Sequence, residues 1–405
     1  MPGVLAMILA GGEGTRLQPL TITRSKPAVP FGGSYRLIDF VLNNFVNSNI
    51  LRIFVLTQFK SQSLYMHIKN GWTVNGIPGC FIDQLPAQMR MGKRWYDGTA
   101  DAIYQNLTFI KHNDPEHICV FGSDHVYKMD IRQMLEYHKA NNAELTVSAI
   151  RVPIDKAKAF GVIQVNKKGR MIGFEEKPKN PKHIPGDPEH ALVSMGNYIF
   201  KADTLYRELE RDANNENSSH DFGMDIIPAL YPKHKVYVYD FLTNKIPNEK
   251  NVGYWRDVGT LDAYWSTNMD LLTNKNLTLN NKSWALHTYY PPLPPATFLN
   301  YRNKQVSIAQ SNISAGCEIV GAKIDKSIIG FNCKIGPGTE ISESIILGEA
   351  KIGKNCIIKR AILDKYVEIA PGVIIGEDLE ADKSRFTISP NGIVVVPKGA
   401  KIGFE

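Results

Sequence analysis

The chain has 405 residues, 43% hydrophobic and 21% charged, with 47 basic against 40 acidic side chains and a net charge of +7. That composition excludes a disordered or fibrous chain and provides for two to three domains, each with a core. Apolar runs such as Val4 to Ala10 fall far short of the roughly 20 residues that cross a bilayer, and the small basic surplus suits phosphate ligands without demanding nucleic acid. Neither membrane nor nucleic acid is an expected partner.

The N-terminal residues carry no basic stretch of the signal-peptide kind. The five cysteines (Cys80, Cys119, Cys317, Cys333, Cys356) are scattered, odd in number and without a C-x-x-C pair. The expectation is reduced thiols in a cytoplasm.

Val4–Ala10 is apolar without alternation, as in a strand buried on both faces. It runs into Leu9-Ala10-Gly11-Gly12-Glu13-Gly14-Thr15-Arg16-Leu17. Three glycines let backbone N–H groups converge on a phosphate. The loop is neither a Walker A motif nor a G-x-G-x-x-G fingerprint, and a tight turn with solvated charges would share its pattern. Arg16 and Lys26, the latter in Ser25-Lys26-Pro27-Ala28-Val29-Pro30, sharpen the reading to a triphosphate site.

Further along, Leu37–Asn47, Ala100–Lys111 and Ile131–Asn141 are predicted helices, alternating with predicted strands at Arg52–Thr57, Ile118–Gly122 and Leu145–Ile150. This alternation predicts a doubly wound, mostly parallel α/β sheet of Rossmann-like type. Asp124 follows the strand Ile118–Gly122, at the carboxyl end where such sheets collect ligands. Asp257 sits at the turn that opens the segment Asp257–Leu272, which reads as a turn followed by a helix. Each aspartate alone could be an Asx turn or a cap. Glu175-Glu176-Lys177-Pro178 follows the strand-like Met171–Phe174, and Lys177 is a compact charge fit for a phosphate or simply a solvated loop residue. His220-Asp221 reads as a sugar-site loop or as a structural hydrogen-bond pair, since no nucleophile elbow accompanies it. His125 is read as a neighbour of a metal ligand rather than a ligand.

Tyr289-Tyr290-Pro291-Pro292-Leu293-Pro294-Pro295 marks a boundary, either an extended polyproline connector or an ordered loop packed on the first domain. Beyond it, aliphatic residues repeat at Ile329, Ile335, Ile341, then Ile346, Ile352, Ile358, then Leu363, Ile369, Ile375, punctuated by glycine and asparagine. Such a hexapeptide period predicts a C-terminal left-handed parallel β-helix. The predicted domains are therefore 1–285, a connector over 286–304, and a β-helix over 305–405.

L-A-G-G-x-G-T-R-L followed by S-K-P-A-V-P resembles the sugar-1-phosphate nucleotidyltransferases. Phe31-Gly32-Gly33-Ser34-Tyr35-Arg36-Leu37-Ile38-Asp39-Phe40, Trp95-Tyr96-Asp97-Gly98-Thr99-Ala100-Asp101-Ala102, Ser218-Ser219-His220-Asp221-Phe222-Gly223 and Tyr254-Trp255-Arg256-Asp257-Val258-Gly259-Thr260 resemble their bacterial glucose-1-phosphate adenylyltransferase branch. The resemblance spans nearly the whole chain. It implies adenylyl transfer from ATP to glucose 1-phosphate, giving ADP-glucose and pyrophosphate for glycogen synthesis, in a cytoplasmic homotetramer. Arg16, Lys26 and Asp124 would be catalytic, with Gly11, Gly12, Gly14, Thr15 and Arg16 around the nucleotide. Asp124 and Asp257 would hold Mg2+, and Tyr96, Gly161, Glu176, Lys177 and Ser194 the sugar phosphate.

Enteric members of this branch are activated by fructose 1,6-bisphosphate and inhibited by AMP, the activator being gripped partly by a lysine and a histidine. Here those positions read Thr23 and Pro30, while Arg24 and Arg36 survive as candidate contacts for a phosphorylated or nucleotide effector. The longer basic C-terminal tail of those relatives is also missing from this sequence. Three rivals stand beside this reading: the same chemistry on UTP, dTTP or GTP, a non-catalytic regulatory subunit, and a hexapeptide acyltransferase. The last is rejected because residues 305–405 contain no histidine to serve as its base.

Overall fold

The structure is a computed structural model that describes residues 3–74, 76–89, 95–249, 253–273 and 277–404. Its first part is a nine-stranded sheet in the order Met171–Glu176, Gly161–Val165, His190–Lys201, His117–Gly122, Val4–Leu9, Arg52–Thr57, Phe81–Pro86, with Leu145–Pro153 also paired to His190–Lys201 and Val236–Asp240 paired in turn to Leu145–Pro153. Seven of the nine strands share one direction, and only Met171–Glu176 and His190–Lys201 oppose it. Along Val4–Leu9, Ala6 and Ile8 face one hydrophobic cluster while Leu5 and Met7 face another. Burial on both faces is why that strand reads as an unbroken apolar run.

Helices form at Leu37–Asn47 and Ile131–Ala140, as the sequence predicts. The predicted helix Ala100–Lys111 is instead two, Thr99–Tyr104 and Leu107–His112. Between them the Asn106 amide donates to the Ala102 carbonyl at 2.8 Å, capturing an acceptor that a continuous helix would use. The predicted turn and helix over Asp257–Leu272 form as a helix at Leu261–Thr273, and the residues just before the turn add a short strand, Trp255–Asp257. No helix among the described residues is long and apolar enough to cross a membrane.

One buried pair carries a pH dependence. His138 is 1% exposed, and its Nδ1 meets Thr146 Oγ1 at 2.8 Å. Its ring packs edge-on against that of His117 at 5.1 Å, and its Nε2 has no hydrogen-bond partner among the described residues. Burial first, then His117 and Lys139, push the His138 pKa down to about 3. A folded-state pKa below the unfolded one adds stability that is complete above the unfolded value near 6.5 and drains away as pH falls below it. The melting midpoint should therefore drop between pH 7 and pH 5 by more in the wild type than in His138→Gln, with about 2 kcal/mol lost at pH 5 through this residue. Equal slopes in the two proteins would remove His138 from the account.

The second part is a three-sided parallel β-helix. One side stacks Thr297–Leu299, Glu318–Val320, Lys334–Ile335, Lys351–Ile352, Glu368–Ile369 and Lys401–Ile402, and the other two stack in the same way. The aliphatic period maps onto this register: Ile335 pairs with Ile352 and Ile352 with Ile369, while Ile341 pairs with Ile358 and Ile358 with Ile375. After Ile375 a short helix, Leu379–Lys383, and an antiparallel strand interrupt the coils before Val394–Val396 completes the stack.

One side of the prism is apolar on both faces. Ile329, Ile346 and Leu363 fill the interior, while their neighbours Ile328, Ile345 and Ile362 point outward into a cluster with Leu17, Leu20, Phe31, Tyr264 and Leu271 of the first part. The doublets Ile328-Ile329 and Ile345-Ile346 are thus the mark of a β-helix face buried against another unit. The connector is an ordered, packed loop: His287 N–H donates to Asn43 Oδ1 at 2.7 Å and Thr288 Oγ1 to Asp39 Oδ2 at 2.7 Å.

Candidate active site

A cleft of about 550 Å³ opens at the carboxyl ends of Val4–Leu9 and His117–Gly122, within the range of small-molecule sites. Asp124 lies just past the second of these strands. Asp257 reaches it because Trp255–Asp257 pairs antiparallel with His125–Tyr127, placing Asp257 opposite His125. The carboxylates of Asp124 and Asp257 and the imidazole of His125 offer ligand atoms that all lie within 4.8 Å of one another. A sequence gap of more than a hundred residues is closed by three rungs of ladder.

Lys26 completes this cluster. Its ammonium is 2.7 Å from Asp124 Oδ2 and 3.5 Å from Asp257 Oδ1, in a side chain only 10% exposed. Burial by itself would raise the Asp124 pKa, but Lys26 and His125 more than offset it, so the carboxyl is held below the usual carboxylate range. The carboxyl groups of Asp124 and Asp257 face a shared point, a donor set suited to a hard divalent cation. His125 stands beside that point, its Nε2 3.5 Å from Asp124 Oδ1 and its ring steadied by Trp255 at 4.9 Å.

The glycine loop forms one wall. Gly11, Gly12 and Arg16 line the cleft, whereas Gly14 and Thr15 are not among the lining residues. Gly14 has φ 69°, and a Cβ there would stand 2.9 Å from Lys26 Cβ. Its part is to let the loop turn tightly enough for Lys26 to pass behind it. Arg16 is exposed at the rim, with a guanidinium nitrogen 3.3 Å from where a Cβ on Gly259 would lie.

Tyr96, Gly161, Glu176, Lys177 and Ser194 line the other half. Tyr96 is fixed at both ends: its N–H donates to Gln58 Oε1 at 2.9 Å and its hydroxyl accepts from Asn106 Nδ2 at 2.9 Å. The Glu176 carboxylate is nested between two glycines, since a Cβ on Gly161 would come within 2.8 Å of Glu176 Oε2 and one on Gly223 within 2.7 Å. Lys177 is bent back onto Glu176 at 2.9 Å with its side chain largely exposed. Ser194 stands where the pairing of its strand breaks register, and its Oγ accepts from Gly196 N–H at 3.2 Å.

His220 does not pair with its neighbour. Its Nδ1 meets Asp212 Oδ2 at 2.9 Å, and its carbonyl accepts from Ala100 N–H at 2.8 Å. Asp221 accepts from Gly223 and Met224 N–H and from Thr99 Oγ1, so it caps a turn on the cleft wall. His220 thus makes a structural hydrogen bond to Asp212 rather than within the His220-Asp221 pair, while Asp221 lines the cleft.

Two comparisons bear on this cleft. The Nucleotidyl transferase family profile matches residues 5–274, and a GlmU-like C-terminal hexapeptide profile matches 294–396. Over its full 405 residues the chain is 66% identical to a glucose-1-phosphate adenylyltransferase of Photobacterium profundum, and 62% identical to one of Vibrio vulnificus, each covered completely. The chain belongs to the glucose-1-phosphate adenylyltransferases of the nucleotidyl transferase family. An Anaeromyxobacter relative of the same name is 48% identical over 409 residues, so the family likeness persists well beyond close relatives.

Within this family cleft, Gly223 lines the wall beside Glu176, a part the sequence reading did not give it, and Asp221 of the His220-Asp221 loop lines it too. At the junction with the β-helix, Asp364 and Lys365 join the two arginines that the sequence reading named for an effector. Arg24 is 4% exposed and ion-paired with Asp364, while Arg36 donates to Ser63 O at 2.7 Å and Ser63 Oγ at 2.8 Å. Lys365 stands near both: burial, Arg36 and Arg24 push its pKa down to about 8, and burial pushes Arg36 down to about 10. A trace of this was in the repeat. The residue after the first aliphatic position of each trio is Gly330, then Leu347, then Asp364, so a charge stands where the earlier coils have none.

Proposed function

We propose that the chain transfers the adenylyl group of ATP to glucose 1-phosphate, the donor-forming step of bacterial glycogen synthesis. The observation that carries this reading is the Lys26–Asp124–Asp257 cluster, set between a glycine loop and the Glu176–Lys177 turn. A phosphate oxygen of glucose 1-phosphate attacks the α-phosphorus of ATP. A new P–O bond forms there, the bond to the αβ-bridging oxygen breaks, and its electron pair leaves with pyrophosphate. Both reactants are anions, so neutralisation and alignment do the work and no covalent nucleophile is required.

Asp124 and Asp257 would hold Mg2+, which when bound neutralises phosphate charge and aligns the partners. Arg16 and Lys26 add positive charge along the triphosphate, and the N–H groups around Gly11 and Gly12 face the cleft for the nucleotide. On the sugar side, Glu176 accepts from hydroxyls while Lys177 turns to the phosphate, with Tyr96, Gly161 and Ser194 shaping the pocket. The reading places the enzyme in the cytoplasm, where ATP and sugar phosphates are held.

A homotetramer is part of the proposal. Its support is the open end of the β-helix, where Thr297–Leu299 and Ser307–Ala309 are terminal strands exposing Phe298, Leu299 and Ile308. Edges of that kind are covered by partners or protected. Effector binding is proposed at the junction. Asp364 already matches the Arg24 charge, so Arg36 and Lys365 are the cations best placed to receive a phosphorylated or nucleotide effector. Without a lysine at Thr23 or a histidine at Pro30, fructose 1,6-bisphosphate should activate only weakly.

The decisive assay is pyrophosphate release from glucose 1-phosphate with magnesium and ATP, UTP, dTTP or GTP, with and without fructose 1,6-bisphosphate. Release with ATP alone is expected. Preference for another nucleotide would overturn the base assignment, and silence with all four would turn the chain into a regulatory subunit.

A further inference from the structure

Between the glycine loop and the Leu37–Asn47 helix the chain has no α-helix and only a two-residue hairpin, so something else must fix the segment that carries Lys26. It runs from the turn Thr15–Leu17 to the turn Lys26–Ala28. Arg24 sits two residues before Lys26. Its Nη1 donates to Leu20 O at 3.1 Å, which staples the segment to itself. The same guanidinium forks onto Asp364, Nη1 to Oδ2 and Nη2 to Oδ1, both at 3.0 Å. Asp364 follows the β-helix strand Ala361–Leu363 and is 1% exposed. Its Oδ1 also accepts from Lys365 N–H at 2.6 Å, so the carboxylate is held in place by its own domain. A planar guanidinium gripped at two oxygens has its orientation set as well as its position.

We propose that Asp364 is a positioning residue for adenylyl transfer: through Arg24, the β-helix fixes the turn from which Lys26 reaches Asp124 and Asp257. The catalytic centre is then completed by a side chain from the other domain, 340 positions along the chain from Arg24. This rests on the reading of Lys26 as a catalytic lysine, and the experiment separates the two. A purely structural tie would lower stability and leave the turnover of the folded enzyme alone. A positioning contact lowers turnover, and does so only while Lys26 is there to be positioned.

Pyrophosphate release from ATP and glucose 1-phosphate, with magnesium and without effector, is measured on the full chain for wild type, Asp364→Asn, Lys26→Gln and the double variant. Asp364→Asn should lower kcat by about tenfold or more with KM for glucose 1-phosphate within about twofold, and in the Lys26→Gln background it should change kcat by less than about twofold. Losses that multiply, or a wild-type kcat in Asp364→Asn, overturn the proposal. Unreduced turnover in Lys26→Gln overturns the site reading itself. Where Asp364→Asn does not fold, Arg24→Met with Asp364→Leu replaces the buried pair by apolar groups of similar size. Its melting midpoint should return close to wild type while kcat stays low. Recovery of both together would reduce the pair to a structural tie.

Discussion

Asp124→Ala should lower kcat by about two to three orders of magnitude, the scale of losing one preorganised electrostatic contact to a transition state. The side chain has no role in the core that would confuse the result. It projects into the cleft with its carboxylate against Lys26 at 2.7 Å and His125 at 3.5 Å. Removing it leaves Lys26 with Asp257 alone, at 3.5 Å, and takes one of two carboxylates from the proposed magnesium site. The glucose 1-phosphate pocket is built from other elements, so KM for that substrate should stay within about threefold, as expected when a contact matters chiefly in the transition state. The check is steady-state kinetics with magnesium varied. A near-normal kcat in a folded Asp124→Ala enzyme would sink the assignment of this aspartate.

Lys177→Ala should do the reverse. The side chain lies 65% exposed and reaches no described partner at hydrogen-bond distance except Glu176 at 2.9 Å, so its loss costs the fold little. A charge-assisted bond to a phosphate contributes about 1.5–3 kcal/mol, which is roughly a tenfold to hundredfold rise in KM for glucose 1-phosphate. Because the phosphate is held in ground and transition states alike, kcat should change far less. Lys177→Arg should not fully restore affinity, since a planar fork is a poor substitute for a compact ammonium in a pocket shaped around it. A fall in kcat with unchanged KM would move Lys177 from substrate binding to catalysis.

The two residues show how unevenly the site could be read from the chain. Lys177 stands beside Glu176 in sequence and beside it in space, so the turn was legible at once. Asp124 and Asp257 are separated by more than a hundred residues, and their adjacency depends on one short antiparallel pairing, Trp255–Asp257 with His125–Tyr127. That pairing leaves no periodicity in the sequence, because three-residue strands are too short to show one. The resemblance to a family joined the two aspartates before the fold did.

Other details depended on local competition. The break at Asn106 in a predicted helix turns on one amide choosing the Ala102 carbonyl. Gly161 enters the site only through the family resemblance, and Gly223 not at all, until the Glu176 carboxylate is seen between them. His220 sits next to Asp221 but bonds Asp212, eight residues back, because its φ of 54° carries the chain through a tight turn.

The sequence by itself determined the β-helix and the central sheet, because both carry their burial in the residue pattern, one as a hexapeptide period and the other as unbroken apolar runs. A coil of the prism must place an aliphatic side chain inward at each side, and a doubly covered strand must be apolar throughout. It also determined the glycine loop, Lys26 and the Glu176–Lys177 turn, whose chemistry is carried by neighbours in the chain. Only the tertiary structure decided how the two domains meet. Arg24 read as a free cation for an effector, and the fold spends its charge on Asp364 of the β-helix. A buried ion pair between distant segments is set by the packing around it, and packing of that kind has no signature in the order of the residues.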